Sequence, residues 1–406
     1  MGRTAIVDWA RAIYEDLDFT TVTDWLAAHP GQHACGYLPV YAPREVIHAA
    51  GMLPVGIHGS GAVEIIRGDA FYQSYICHLP RSIIELAQSG RLDMLSAVLF
   101  PSTCDVIRNL SGMWQLLKPG MYVRYVDLPQ DFDPQVGGRF WEGELRHLLA
   151  DLCKISGRDP DSVDLAASIR LYDQARARVR ALYELRRRAP WTAPTEEIYL
   201  LMRAGEQQPV EQFIETVDAY LLAAAAEPGR SRDQTRVIVV GAFCEQPPLG
   251  LIKTIERAGC AIVDDDFLVG NRLLSQPVGP RLDRGVDPVT ALALALCEDS
   301  LASPILYEPD PTGKARLMGE RVAAAGADGI VFAAPSFCDP ALLDRPMLRA
   351  GAEALGIPCI AFQYSENTGQ FQQFREQAGT FADAIKLWGG SASSSSSPSA
   401  TPETRP

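Results

Sequence analysis

Short, wholly apolar runs alternate with stretches of helical spacing along most of this chain, the pattern of parallel strands buried on both faces and joined by helices. In the first half Met52 to Ile57, Ala97-Val98-Leu99-Phe100 and Tyr122 to Val126 read as strands, with helices at Pro43 to Ala50, stopped by Gly51, and at Pro80 to about Gly90. From Phe140 to about Ala226 alanine, leucine and arginine recur at helical spacing, with a break at Pro190 to Pro194. A second series opens on the strand Arg236 to Gly241. It continues with a helix from Leu249 to Ala258, a strand from Cys260 to Val263, and helices near Pro288 to Leu301 and Gly313 to Ala325. The strand Gly329 to Phe332, a helix to Leu355 and the strand Cys359 to Phe362 complete it. The expected fold class is α/β, with two Rossmann/flavodoxin-like parallel-sheet domains and additional helices. The expected organisation is an N-terminal helical segment over 1–35, a first α/β domain with a helical insertion over 36–228, and a second α/β domain over 229–390. Residues 391–406 are serine, proline and threonine with almost nothing apolar, too little to offset ordering entropy, and should form a disordered tail.

Two of the strands end in the same way. Pro101-Ser102-Thr103-Cys104-Asp105 follows the strand before it, and Pro335-Ser336-Phe337-Cys338-Asp339 follows another. Ser-x-x-Asp after an apolar run reads as a capping box opening a helix, which would put each cysteine in the first helical turn. There the unpaired backbone N–H groups favour a thiolate, the form that a metal or an iron–sulfur cluster requires. A third cysteine, Cys77 in Ser74-Tyr75-Ile76-Cys77-His78-Leu79-Pro80-Arg81, also precedes a predicted helix. Arg81 and Arg108 each stand four residues beyond a cysteine, one turn on if the helix has begun. A lone free cysteine is most often a small buried hydrophobe. That is the expected role of Cys153, Cys260, Cys297 and Cys359, which lie in apolar stretches, while Cys35 and Cys244 are intermediate. The duplicated motif moves Cys104 and Cys338 away from that reading, and with Cys77 they suggest one anionic inorganic centre.

Composition narrows the classes. A chain of 406 residues with 47% apolar residues supports two or three domains with large cores. Nine cysteines without scaffold spacing, no Cys-x-x-Cys pair and no apolar leader lead to the expectation of free thiols in a reducing cytoplasm. No run approaches a membrane span, and a net charge of −13 argues against nucleic acid as a partner. Other motifs carry less. Gly56-Ile57-His58-Gly59-Ser60-Gly61 reads as a tight turn before it reads as a phosphate cradle. Thr312-Gly313-Lys314-Ala315 lacks the first glycine and the Ser/Thr of a P-loop, so no nucleotide-hydrolysis site is expected. Asp264-Asp265-Asp266 is read as a solvated capping run, with a hard-cation site as the alternative. His48 and His58 are read as structural.

Several separated segments resemble one family. They are Gly36-Tyr37-Leu38-Pro39-Val40-Tyr41-Ala42-Pro43-Arg44-Glu45 with His48-Ala49-Ala50-Gly51, then Ser74-Tyr75-Ile76-Cys77, Phe100 to Asn109, and Gly241-Ala242-Phe243-Cys244-Glu245-Gln246-Pro247-Pro248. Together they resemble the ATP-dependent benzoyl-CoA reductase and 2-hydroxyacyl-CoA dehydratase family, within it the C-type subunit of class I reductase, from about Asp16 to Leu387. The resemblance implies a [4Fe–4S] cluster on Cys77, Cys104 and Cys338 with the fourth iron left to a non-cysteine ligand. It implies a paralogous cluster-bearing partner subunit, ATP-hydrolysing activator subunits and reduced ferredoxin as electron donor. The implied reaction is the two-electron ring reduction of benzoyl-CoA, or chemistry on a related acyl-CoA. Two alternatives stay open: a 2-hydroxyacyl-CoA dehydratase subunit acting by ketyl-radical elimination of water, and a non-catalytic partner subunit that carries a cluster.

Overall fold

The computed structural model describes residues 2–38, 41–59, 64–241, 247–267, 276–298, 310, 312–365 and 371–388. The expected tail, Cys244 with the residues around it, and the end of the Gly56 to Gly61 loop lie outside the described residues. Helices α1 (Arg3–Glu15) and α2 (Thr20–Ala28) lead into β1 (His33–Tyr37), α3 (Arg44–Ala49), β2 (Met52–Gly56), α4 (His78–Gln88), β3 (Ala97–Pro101), α5 (Asp105–Leu117) and β4 (Tyr122–Val126). Four helices follow: α6 (Arg139–Ser156), α7 (Leu165–Arg188), α8 (Thr195–Gly205) and α9 (Val210–Ala226). The second series is β5 (Thr235–Val240), α10 (Leu249–Arg257), β6 (Cys260–Asp265), α11 (Gly279–Leu282), α12 (Pro288–Glu298), α13 (Gly313–Ala325), β7 (Gly329–Pro335), α14 (Asp339–Ala354), β8 (Cys359–Tyr364) and α15 (Gln372–Trp388).

The strands pair in parallel throughout, as two four-stranded sheets ordered β2-β1-β3-β4 and β6-β5-β7-β8. The two orders are the same when each series is counted from its own first strand. In such a sheet the chain reverses its direction of travel between the first and third strands, and ligands bind beyond the carboxyl ends there. Every residue of β2, β3 and β7 is buried, which explains why these strands read as continuous apolar runs rather than alternating ones.

Side chains that alternate across each sheet enter separate cores. Val98 and Phe100 of β3 pack with α4 and α5, whereas Ala97 and Leu99 pack with α3 and α6. The covering helices are interleaved between the halves. Ile6 and Ala10 of α1 and residues of α7, α8 and α9 share a core with Val237, Val239 and Val331 of the second sheet. In the other direction Val289, Leu292 and Leu296 of α12 join the core beneath the first sheet.

Candidate functional site

The turns after β3 and β7 are one piece of structure built twice, on strands holding the same place in their sheets. The residue after each strand-ending proline donates its N–H to the last carbonyl of the neighbouring strand: Ser102 to Val126 of β4 at 2.9 Å, and Ser336 to Tyr364 of β8 at 2.7 Å. Two residues on, Cys104 and Cys338 stand as the N-caps of α5 and α14. Their carbonyls accept the opening helical N–H groups of Arg108 at 3.2 Å and Leu342 at 3.0 Å. The expected capping box does not form. The helices begin at Asp105 and Asp339, so each serine lies two residues ahead of the cap, and Ser102 Oγ instead accepts the N–H of Leu128 at 2.7 Å. The cysteines therefore sit at the cap itself and not in the first turn. Phe337 is held in the left-handed region at φ 64°, and its ring is 52% exposed beside Cys338.

Cys77 is the N-cap of α4, buried like Cys338, while Cys104 is half-buried. The segment that delivers Cys77 is tied to α4 by Glu85, whose Oε2 accepts the N–H groups of Ile66 (2.9 Å), Arg67 (2.6 Å) and Gly68 (3.1 Å). Burial pushes the Glu85 carboxyl up, but those three N–H groups and the Arg67 charge outweigh it and hold it below its ordinary value. A side chain at position 68 would meet the Arg81 carbonyl at 2.3 Å, so the close approach requires glycine. Arg81 Nη1 donates to Asp69 at 2.8 Å, and Arg108 lies over the Tyr125 ring at 5.3 Å.

The cysteines share surroundings. Ala334, Cys338 and Ala341, from the end of β7 and the start of α14, enter the core on the α4/α5 face of the first sheet, with Ile76 and Cys104 packed against it. Tyr72, five residues before Cys77, belongs to that core, and burial raises its hydroxyl pKa, with negative charge at Cys77 and Cys104 adding to the shift. Among the described residues no group of three or more His, Cys, Asp or Glu side chains gathers closely enough to ligate a single metal ion.

Among the described residues each of the other thiols lies on a strand or a helix rather than at a helix cap. Burial raises Cys35 in β1, pushes Cys260 in β6 up to about 12 and Cys297 in α12 up to about 11, and raises Cys153 in α6 and Cys359 in β8. The acidic run is neither solvated nor vacant. Asp264, Asp265 and Asp266 are buried at the end of β6 and paired: Arg186 with Asp265 at 2.7 Å, Arg187 with Asp264 at 3.4 Å, and Arg321 with both Asp264 and Asp266. Three guanidinium groups balance three carboxylates, which corrects both the solvated reading and the cation reading. His48 Nδ1 contacts Ser168 Oγ at 2.9 Å.

His58 faces a partner that no local pattern announced. Just beyond β2 its Nε2 meets the Glu206 carboxylate, both groups buried, and His58 itself lines a cavity of about 270 Å³ together with Arg203 and Gln207. Burial and then the Arg203 charge lower the His58 pKa. Burial pushes Glu206 up, yet His58, Arg44 and Arg203 hold it below the ordinary carboxylate value.

Two parallel sheets of one order, with a cysteine-capped helix after the third strand of each, define a doubly wound flavodoxin-like α/β protein whose ligand edge carries thiols. Comparison with known proteins refines the class. The model of the family described as 2-hydroxyglutaryl-CoA dehydratase, D-component, matches residues 39–385, and the chain belongs to that family. It is 50% identical over 96% of its length to the benzoyl-CoA reductase C-subunit of Thauera aromatica, all of which is covered. Lactoyl-CoA dehydratase subunit beta of Anaerotignum propionicum is 26% identical over 88% of this chain and 93% of its own. The (R)-2-hydroxyglutaryl-CoA dehydratase subunit beta of Acidaminococcus fermentans is likewise 26% identical, over 87% of this chain and 93% of its own.

Proposed function

We propose that this chain is the iron–sulfur subunit of an ATP-dependent benzoyl-CoA reductase, with Cys77, Cys104 and Cys338 as the ligands of one [4Fe–4S] cluster. The observation that carries the reading is the 50% identity, over the whole length of the relative, to a benzoyl-CoA reductase subunit. The donor set suits the group: three thiol side chains on three helix N-caps, with Cys104 and Cys338 bordering one core that holds a buried, unpartnered Tyr72 hydroxyl. When bound, the cluster supplies a low-potential electron and an iron with room for a ligand other than cysteine.

The chain's own residues set the conditions for that chemistry. The opening N–H groups of α4, α5 and α14 are directed towards the cysteines, a field that suits the negative charge of thiolates. Leu79, Ala334 and Ala341 give the surroundings apolar walls. Reducing an aromatic ring requires a donor below the roughly −400 mV of a plant-type ferredoxin, so an energising step must precede it. In this reading ATP-hydrolysing activator subunits energise electrons from reduced ferredoxin, a paralogue bearing its own cluster joins the assembly in the cytoplasm, and benzoyl-CoA becomes cyclohexa-1,5-diene-1-carbonyl-CoA. No helix among the described residues is long and apolar enough to cross a membrane.

The 26% identity to dehydratase beta subunits favours one second reading, ketyl-radical dehydration of a 2-hydroxyacyl-CoA. The test is anaerobic purification of the chain with its associated subunits and assay of both reactions. ATP- and ferredoxin-dependent consumption of benzoyl-CoA is expected, with none from the isolated chain. Water elimination from a 2-hydroxyacyl-CoA without ring reduction would overturn the first reading for the second.

A further inference from the structure

We propose that the Tyr72 hydroxyl is a positioning group for the cysteine-bound centre, held ready to donate a hydrogen bond to sulfur at Cys77 or Cys104; this rests on the reading of those cysteines as cluster ligands. Tyr72 is 7% exposed and part of the core against which Cys104 and Ile76 pack. Its hydroxyl oxygen is buried without a hydrogen-bond partner among the described residues. A buried hydroxyl with no partner opposes folding, and phenylalanine would fill the same space without that penalty. Such a group persists where function requires it.

Its surroundings say what it awaits. Tyr72 stands five residues before Cys77 in a core that Ile76 and Cys104 border, and negative charge at either cysteine raises its hydroxyl pKa. It is also anchored: Glu85 fixes Ile66, Arg67 and Gly68 onto α4, and the short 3-10 turn Gly68–Ala70 leads directly to Tyr72. Thiolate sulfur accepts hydrogen bonds, and a buried hydroxyl with no other partner is a donor available to it. Hydrogen bonds to the sulfurs stabilise the more negative, reduced state of an iron–sulfur centre and raise its potential.

The test compares wild type with Tyr72→Phe in the anaerobically purified complex, reading iron per chain, the midpoint potential by EPR-monitored titration, and the melting temperature of the metal-free chain. Unchanged iron, a midpoint shifted to more negative potential and a metal-free chain that melts no lower than wild type are expected. An unmoved midpoint with iron retained overturns the proposal, and so does a lower melting temperature of the metal-free variant, because the hydroxyl would then be satisfied. If Tyr72→Phe does not retain iron, Tyr72→His, which restores a ring N–H donor, must recover both iron and potential, and failure to do so overturns the proposal. A wild-type complex without iron overturns the underlying reading instead, a result distinct from all of these.

Discussion

Replacing Cys104 with serine should remove iron and at the same time make the metal-free chain more stable. Cys104 is the N-cap of α5 in extended conformation, φ −163° and ψ 167°, with no side-chain hydrogen bond to the first-turn amides. Serine is among the best N-caps, and the difference between a capping oxygen and a non-capping side chain is about 0.5–2 kcal/mol. Because Cys104 is only half-buried, exchanging its sulfur for oxygen sacrifices little apolar contact, so a net gain of about 0.5–1 kcal/mol follows. For a domain of this size that corresponds to a rise of about 1–4 °C in the melting temperature of the metal-free protein. The assays are calorimetry or circular dichroism on the metal-free chain and iron analysis of the anaerobic complex. A structural cysteine gives the opposite pairing: stability lost on substitution and iron unaffected. Either a melting temperature lowered by several degrees or an unchanged iron content refutes the reasoning.

Glu85→Ala deprives three backbone N–H groups of their acceptor and should lower stability by about 2–3 kcal/mol, with iron lost alongside because the segment bearing Cys77 loosens; full iron retention counts against it. The Glu85 pKa is depressed in the folded chain, so its contribution is present above the ordinary carboxylate range and is lost as pH falls through the folded value, and the variant should differ least from wild type in acid. Millimolar Mg²⁺ or Ca²⁺ should leave the melting temperature unchanged, because Asp264, Asp265 and Asp266 are already neutralised by arginine; a saturable rise would show a cation site there.

What the sequence could carry was what is local. The buried strands showed as apolar runs, and the duplicated Pro-Ser-x-Cys-Asp marked two corresponding turns before any sheet order was known. The capping box misled because Ser102 finds its partner, Leu128, across β4 rather than within its own helix. The bounds of β1 beside Cys35 were not legible because His33-Ala34-Cys35-Gly36-Tyr37 has neither an apolar run nor clean alternation, and it is buried by its central place between β2 and β3. The acidic run looked solvated because its arginines come from α7 and α13, more than fifty residues away on either side. The same holds for His58 and Glu206, 148 residues apart, and for Tyr72, an ordinary aromatic until its hydroxyl is seen buried without a partner.

The helix α7 shows how the two cysteine-bearing turns are kept in register. Near its middle Arg176 pairs with Glu45 of α3 on the first sheet, at 2.5 Å with both side chains buried. Ten residues on, about 15 Å along the axis, Arg186 pairs with Asp265 at the end of β6 at 2.7 Å, and Tyr183 donates to the same carboxylate at 2.8 Å. One rigid element thus joins both sheets through buried ion pairs. Arg186→Met leaves Asp265 in an interior position without its counter-charge, a loss of about 3–5 kcal/mol. Burial raises the Asp265 pKa and Arg186 pulls it down, so removing the arginine raises it further above the ordinary value of 3.8. A folded-state pKa above the unfolded one gives stability that is present below the unfolded value and lost as pH rises through the folded value. The deficit of the variant should therefore widen as pH rises above the ordinary carboxylate range. Because Cys338 follows β7 and enters the core of the first sheet, loosening the strut should also lower iron content, although Arg186 has no contact with a cysteine among its partners. Arg178→Ala, which breaks only the exposed pair with Asp218 of α9, should change neither stability nor iron appreciably. If the two variants behave alike in urea and in iron content, or if the Arg186→Met deficit narrows towards alkaline pH, α7 is not the element that holds the two turns together.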